Sequence, residues 1–147
     1  MIRVFLDANV YFAGFVSPQG GSAFILKLAR RKKIRLLARR IVLKEADRNL
    51  RRKTQPQTAK AFRRFLRETK IEILPSPADT HLAHYEALIH PKDTVILGAA
   101  LEAQVDFLVT LDRRHFLTPQ VLAKQGRTKI LTPENFIKEQ VRKHKLG

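Results

Sequence analysis

The sequence predicts an α/β fold built on a parallel sheet. Short runs of β-branched and aliphatic residues recur along the chain, and longer stretches with helical spacing separate them. That alternation is the pattern of βαβ units. The hydrophobic share, 44% of 147 residues, is enough for one domain with a sizeable core.

Five strands are expected, at Arg3–Leu6, Ile34–Ala38, Ile71–Leu74, Phe107–Thr110 and Lys129–Leu131. Helical spacing covers Ala23–Lys33, with Phe24, Leu28 and Ala29 on one side, then Val42–Arg52, Thr58–Glu68, Ala78–Leu88, Asp93–Ala103 and finally Pro133–Lys143. Gly20-Gly21-Ser22 reads as a loop feeding an N-cap, and Pro75-Ser76-Pro77 as a stiff turn. Thr132-Pro133 reads as an N-cap with Pro at the first helical position. No repeat, low-complexity tract or linker interrupts this pattern, so residues 1–142 are expected to form one domain, with a loose tail at 143–147.

The absence of cysteine excludes disulfides, thiolate chemistry and Cys-based zinc sites, and it suits a reducing cytoplasm. Met1 leads straight into the first strand, leaving no room for a signal peptide, and no apolar run is long enough to span a bilayer. A soluble cytoplasmic protein with no membrane partner is expected.

Charge narrows the partner. The chain carries 29 basic against 13 acidic side chains, a net charge of +16. Residues Arg30–Arg67 alone hold 16 Lys and Arg against Glu45 and Asp47. Solubility does not need so lopsided a sign, which points to a polyanion. Nucleic acid is the expected partner, with Arg39, Arg40, Arg48, Arg51, Arg52 and Lys53 as candidate phosphate contacts. An anionic membrane fits less well, because Leu and Phe of this segment are needed for the core.

The few acids fall where chemistry is expected. In an open α/β sheet, ligands bind outside the carboxyl ends of the strands, where connections change direction. Asp7 follows the first strand and Asp112 the fourth. A helix after a parallel strand begins at that same edge, which brings in Glu45, near the start of the second crossover, and Asp93, which opens the helix leading toward strand four. Four carboxylates in one crevice would repel one another, and a hard divalent cation, Mg²⁺ or Mn²⁺, would remove that cost and could activate water.

Taken singly, each acid has a plainer role. Asp93 could be an N-cap, Asp7-Ala8-Asn9 an Asx-type turn, Asp112 a loop acid, and Glu45 the partner of a nearby cation. Their shared edge favours the functional reading. Asp47, two residues past Glu45, points elsewhere on the helix. His81 and His84 share a helix face without a third ligand and read as surface residues.

Four motifs in this order resemble the PIN-domain superfamily, which includes VapC-type toxins. They are Val4-Phe5-Leu6-Asp7-Ala8-Asn9-Val10, Leu43-Lys44-Glu45-Ala46, the run from Asp93 to Ala103, and Leu108 to Phe116. The resemblance covers nearly the whole chain. It implies a three-layer α/β/α sandwich and an Mg²⁺- or Mn²⁺-dependent endoribonuclease. Asp7, Glu45, Asp93 and Asp112 would be the metal ligands and catalytic residues, with Asn9 and Thr110 supporting them. It also implies a small antitoxin as partner, in a toxin-antitoxin pair, and a homodimer. One departure stands out: many members carry a second Asp just before the Phe, where this chain has His115 before Phe116. An exposed loop histidine is the reading preferred for His115 over a ligand or a proton donor. The rival function is a catalytically silent PIN-like RNA-binding module, which would keep the basic surface and use its acids for folding. A receiver-like phosphoaccepting Asp matches the motif order poorly.

Overall fold

The computed structural model describes residues 1–76 and 79–144. Its centre is a five-stranded parallel sheet of order β3-β2-β1-β4-β5, made of β1 (Arg3–Leu6), β2 (Arg35–Ala38), β3 (Glu72–Ile73), β4 (Phe107–Val109) and β5 (Lys129–Leu131). Phe5 stands opposite Leu37 on one side and Leu108 on the other, and none of the three is exposed. All five expected strands are present, with some ends trimmed. Leu74 and Thr110 leave the ladder proper, yet their N–H groups still donate to Ala38 and Leu131.

Among the described residues the helices are α1 (Ala8–Val16), α2 (Gly21–Arg30), α3 (Arg40–Lys53), α4 (Pro56–Glu68), α5 (Asp79–Glu86), α6 (Pro91–Glu102), α7 (Arg113–Phe116), α8 (Pro119–Ala123) and α9 (Pro133–His144). Chain order runs outward from β1 through β2 to β3, then returns past β1 to β4 and on to β5. Right-handed crossovers therefore place α1–α4 on one face of the sheet and α5–α8 on the other. The helix contacts agree: α1 packs on α2, α3 and α4, and α5 on α6. The result is a three-layer α/β/α sandwich. Its topological switch lies between the carboxyl ends of β1 and β4.

Helix α1 is where the structure departs most from the sequence pattern. It buries Ala8, Val10, Tyr11 and Gly14, with Phe12 and Phe15 half buried, so apolar residues occupy nearly every side and leave no periodic contrast. Gly14 allows a close crossing. A Cβ there would lie 2.4 Å from Leu26 Cδ1 and 3.4 Å from the Ser22 carbonyl carbon of α2. The short helices α7 and α8 also lie in a stretch where no helix is expected. The helices expected from Thr58 and Asp93 start two residues earlier, at Pro56 and Pro91, each a Pro in the first turn. The expected turn at Pro75-Ser76-Pro77 and the helix start at Ala78 reach residues outside the described range, as does the tail beyond His144. No helix among the described residues is long and apolar enough to cross a membrane.

Among the described residues, Tyr11, Arg39, Thr69 and Gln140 each have a buried side-chain polar atom without a hydrogen-bond partner, and Tyr11 lies deepest in the core. Tyr11 is fully buried against Phe62, with ring centroids 5.8 Å apart, and its hydroxyl has no hydrogen-bond partner. Removing a buried, unpartnered hydroxyl takes away a desolvation penalty of about 1–3 kcal/mol. Tyr11→Phe is therefore expected to raise the midpoint of urea unfolding, and an unchanged or lower midpoint would contradict this account of the site.

Candidate metal and nucleic-acid site

Asp7 continues β1 toward β4, donating its N–H to Val109 at 3.0 Å, and then caps α1. Its Oδ1 accepts from the Ala8 N–H at 2.8 Å, and its Oδ2 accepts from the Thr110 hydroxyl at 2.8 Å and the Asn9 amide at 3.3 Å. Thr110 is fully buried, and its Oγ1 in turn accepts from the Asp112 N–H at 3.0 Å. The Asn9 side-chain oxygen accepts from Leu111 N–H at 3.1 Å. Thr110 and Asn9 thus tie the end of β1 to the loop after β4, across the switch point.

A cleft of about 430 Å³ opens over this edge. Ala8, Asn9 and Phe12 of α1 form one wall. Glu45, Asn49 and Lys53 form another, four residues apart along α3, so all three fall on one helical line. The remaining lining is His90, Lys92 and Asp93 at the start of α6, with Asp112 and His115. The face of α3 holding Val42, Ala46 and Leu50 is buried. His90 caps α6, its Nδ1 accepting from the Lys92 N–H at 3.1 Å, so Asp93 is a first-turn acid rather than the cap.

All four expected carboxylates line this one cleft, but they are not equally close. The tight group is Asp93, Asp112 and His115, whose candidate ligand atoms lie within 4.8 Å of one another. Glu45 sits across the cleft with Lys92 Nζ at 3.5 Å. Asp7, only 6% exposed, lies at the floor. Burial pushes its carboxyl up to about 6 from an ordinary 3.8; hydrogen bonds from Thr110 and Ala8 pull against this, and the charges of Asp93 and Glu45 add to it. Asp93 is also raised, first by burial and then by Asp112, with His115, His90 and Lys92 opposing. The apo cleft therefore disfavours its own negative charge.

The candidate phosphate contacts divide by exposure. Arg40, Arg48, Arg51, Arg52 and Lys53 are exposed on α3. Arg51 pairs with Asp47 at 2.9 Å, and Asp47 also binds Arg63 of α4, an ion-pair junction between the two helices. Arg39 is partly buried and donates to the Leu74 carbonyl at 3.1 Å, which ties the end of β2 to the end of β3. Lys53 reaches into the cleft, with Nζ 5.8 Å from the Phe12 ring centroid. Asn49, His90, Lys92 and Phe12 are cleft residues that sequence reasoning did not single out. Asn49 alone had a signal, its spacing of four from Glu45.

A family model described as PIN domain matches residues 3–114. The chain belongs to the PIN domain family. Two solved structures share this PIN fold. One is VapBC2 from Rickettsia felis bound to a DNA fragment from their promoter, 15% identical, covering 89% of this chain and 98% of the other, with a TM-score of 0.65. The second is PAE2754 from Pyrobaculum aerophilum, 17% identical, covering 97% and 98%, with a TM-score of 0.59. No curated protein matches the sequence. PIN domains are as a family metal-dependent nucleases, and the donor set here fits a hard or borderline divalent cation. It offers carboxylate oxygens at the switch point, two of them on groups whose charge is unfavourable without a counter-ion, and one imidazole beside them.

Proposed function

We propose that this PIN domain is a metal-dependent endoribonuclease that hydrolyses RNA phosphodiester bonds. The observation that carries the reading is the convergence of Asp7, Glu45, Asp93 and Asp112 on one cleft beside the most basic segment of the chain. In this reading those four side chains hold Mg²⁺ or Mn²⁺. When bound, the ion offsets charge on the phosphate and makes water acidic enough to act as nucleophile. The chain's own residues do the rest. Thr110 and Asn9 fix the Asp7 carboxylate, Lys53 and Lys92 at the cleft draw a phosphate over the carboxylates, and Arg40, Arg48 and Arg52 hold the strand beyond it. The toxin role, an antitoxin partner and a homodimer belong to the same proposal.

Cleavage is expected to need Mg²⁺ or Mn²⁺, to stop in EDTA, and to leave a 5′-phosphate, because water rather than the ribose 2′-OH attacks. A 2′-deoxy substitution at the scissile nucleotide should therefore be tolerated. A 2′,3′-cyclic phosphate product would overturn the reading, and RNA binding without any cleavage would favour a silent binding module.

RNA affinity is expected to fall steeply with salt, since each neutralised phosphate on a single strand contributes roughly −0.7 to the slope of log K against log salt. Arg40, Arg48 and Arg52 are exposed and make no ion pair among the described residues. Changing all three to Gln should flatten the slope by about 2, one phosphate contact each. An unchanged slope across a titration series would place the RNA elsewhere.

A further inference from the structure

We infer that His115 is a ligand of the metal held in this cleft, and that its imidazole makes the site prefer Mn²⁺ over Mg²⁺. The inference rests on the metal-dependent reading above and deepens it.

The geometry begins with Asp112. This residue caps the single-turn helix α7, its Oδ1 accepting from the His115 N–H at 3.1 Å. Its Oδ2 lies 2.7 Å from His115 Nδ1. An ionised carboxylate can only accept, so the Nδ1 proton is the one shared, and the lone pair of a neutral ring is left on Nε2. A carboxylate that orients an imidazole in this way is the usual support of a metal-bound histidine, since it fixes the tautomer and makes the free nitrogen more basic. Nε2 points away from Asp112, so with His115 bound Asp112 holds the ion through the imidazole, and Asp7, Glu45 and Asp93 remain the carboxylate ligands. The ring stands in the cleft wall, and a candidate ligand atom of His115 is within 4.8 Å of both Asp93 and Asp112.

The neighbouring His90 provides a contrast within the same cleft. Its ring centroid is 5.8 Å from that of His115, but its Nδ1 lone pair is taken by the Lys92 N–H. A neutral His90 therefore turns Nε2–H outward, a donor rather than a ligand. Of the two histidines, only His115 presents a free lone pair.

The chemical consequence follows from ligand type. Mg²⁺ takes oxygen donors and sheds water reluctantly, so an imidazole adds little to its binding. First-row transition ions accept nitrogen more readily. A site combining carboxylates with one imidazole should discriminate against Mg²⁺ where an all-oxygen site would not. The second Asp that many members of the family carry at this place would give that all-oxygen site, which makes His115→Asp an informative exchange.

The test uses the full chain with Mn²⁺ or Mg²⁺ alone, without RNA. In pulsed electron paramagnetic resonance, bound Mn²⁺ should show coupling to a directly coordinated nitrogen in the parent protein and in His90→Gln, and none in His115→Gln. In thermal melts, His115→Gln should weaken Mn²⁺ binding by about tenfold or more, in line with losses at supporting positions of metal sites. It should change Mg²⁺ binding much less. His115→Asp should narrow the difference between the two ions. If metal binds but the nitrogen coupling is absent, or survives in His115→Gln, this inference fails while the nuclease reading stands. If neither ion raises the melting temperature of the parent protein, both fail together.

Discussion

Asp7→Asn is expected to leave the metal-free protein at least as stable as its parent at neutral pH while abolishing most of its response to metal. The Asp7 carboxyl titrates near 6 in the folded chain against an ordinary 3.8. A raised carboxyl favours folding fully below the unfolded value, and that contribution is lost as pH climbs from about 4 to about 6. Above that window the folded apo protein carries a penalty of about 3 kcal/mol, two units at about 1.4 kcal/mol each. Asparagine removes the charge and keeps the shape. It can still accept from the Ala8 N–H, and Thr110 can reverse its hydroxyl to accept from the new amide. The weak 3.3 Å contact with Asn9 is lost, and the Thr110 hydroxyl proton gives up its acceptor, a cost smaller than the charge penalty removed. Apo stability of the parent should therefore fall between pH 4 and 6 along a slope that the variant lacks. With Mg²⁺ or Mn²⁺, stabilisation by RT ln(1 + [L]/Kd) should shrink in the variant. RNA cleavage should fall about 100-fold or more, the loss of several kcal/mol of charge stabilisation. RNA binding through α3 should persist. An Asp7 that merely caps α1 predicts otherwise, since Asn caps a helix as well as Asp does: little change in apo stability, the same response to metal, and the same activity. Melting curves across pH, with and without metal, beside one cleavage assay decide between the two.

Phe62→Ala is expected to be the most damaging single change in the core. Phe62 is fully buried on α4 and meets two rings of α1 edge to face, Tyr11 at 5.8 Å and Phe15 at 5.5 Å. Truncating such a ring typically costs about 3–5 kcal/mol, through lost transfer energy and the cavity left behind. Phe62→Leu, closer in volume, should cost less, about 1.5 kcal/mol. Because α4 carries Arg63, the partner of Asp47 on α3, the damage should spread to the basic surface, and RNA affinity should fall with stability in a denaturant series. Equal losses for Ala and Leu would contradict a packing role.

Much of this architecture could be read from the chain because parallel strands buried on both faces write themselves as apolar runs: Val4-Phe5-Leu6 and Phe107-Leu108-Val109 are buried throughout. The same rule hid α1. Burial on nearly every side erases the contrast between faces on which helical periodicity depends, so Val10, Tyr11 and Phe15 gave no helical signal. Placement of the acids followed from strand ends and crossover direction, which is why Asp7, Glu45, Asp93 and Asp112 could be aimed at one edge. Their relative distances could not. Whether Asp112 stands beside Asp93 or Asp7 depends on the tight turn of α7, and the same turn lifts His115 into the cleft. Arg39 shows a different limit. Its charge is visible in the sequence, but the Leu74 carbonyl that engages it lies 35 residues away.

Helix α3 carries three tasks on one cylinder: a buried stripe at Val42, Ala46 and Leu50, a cleft line at Glu45, Asn49 and Lys53, and an outward basic side at Arg40, Arg48 and Arg52. Each residue advances the helix by about 100°, so inserting or deleting one ahead of Val42 would rotate every later position by that angle. Packing, the acid in the cleft and the grip on a polyanion would all be misaligned at once. The angular phase of this helix is therefore a shared constraint, and substitutions can vary any one of the three stripes alone only while the length of the segment before it stays fixed.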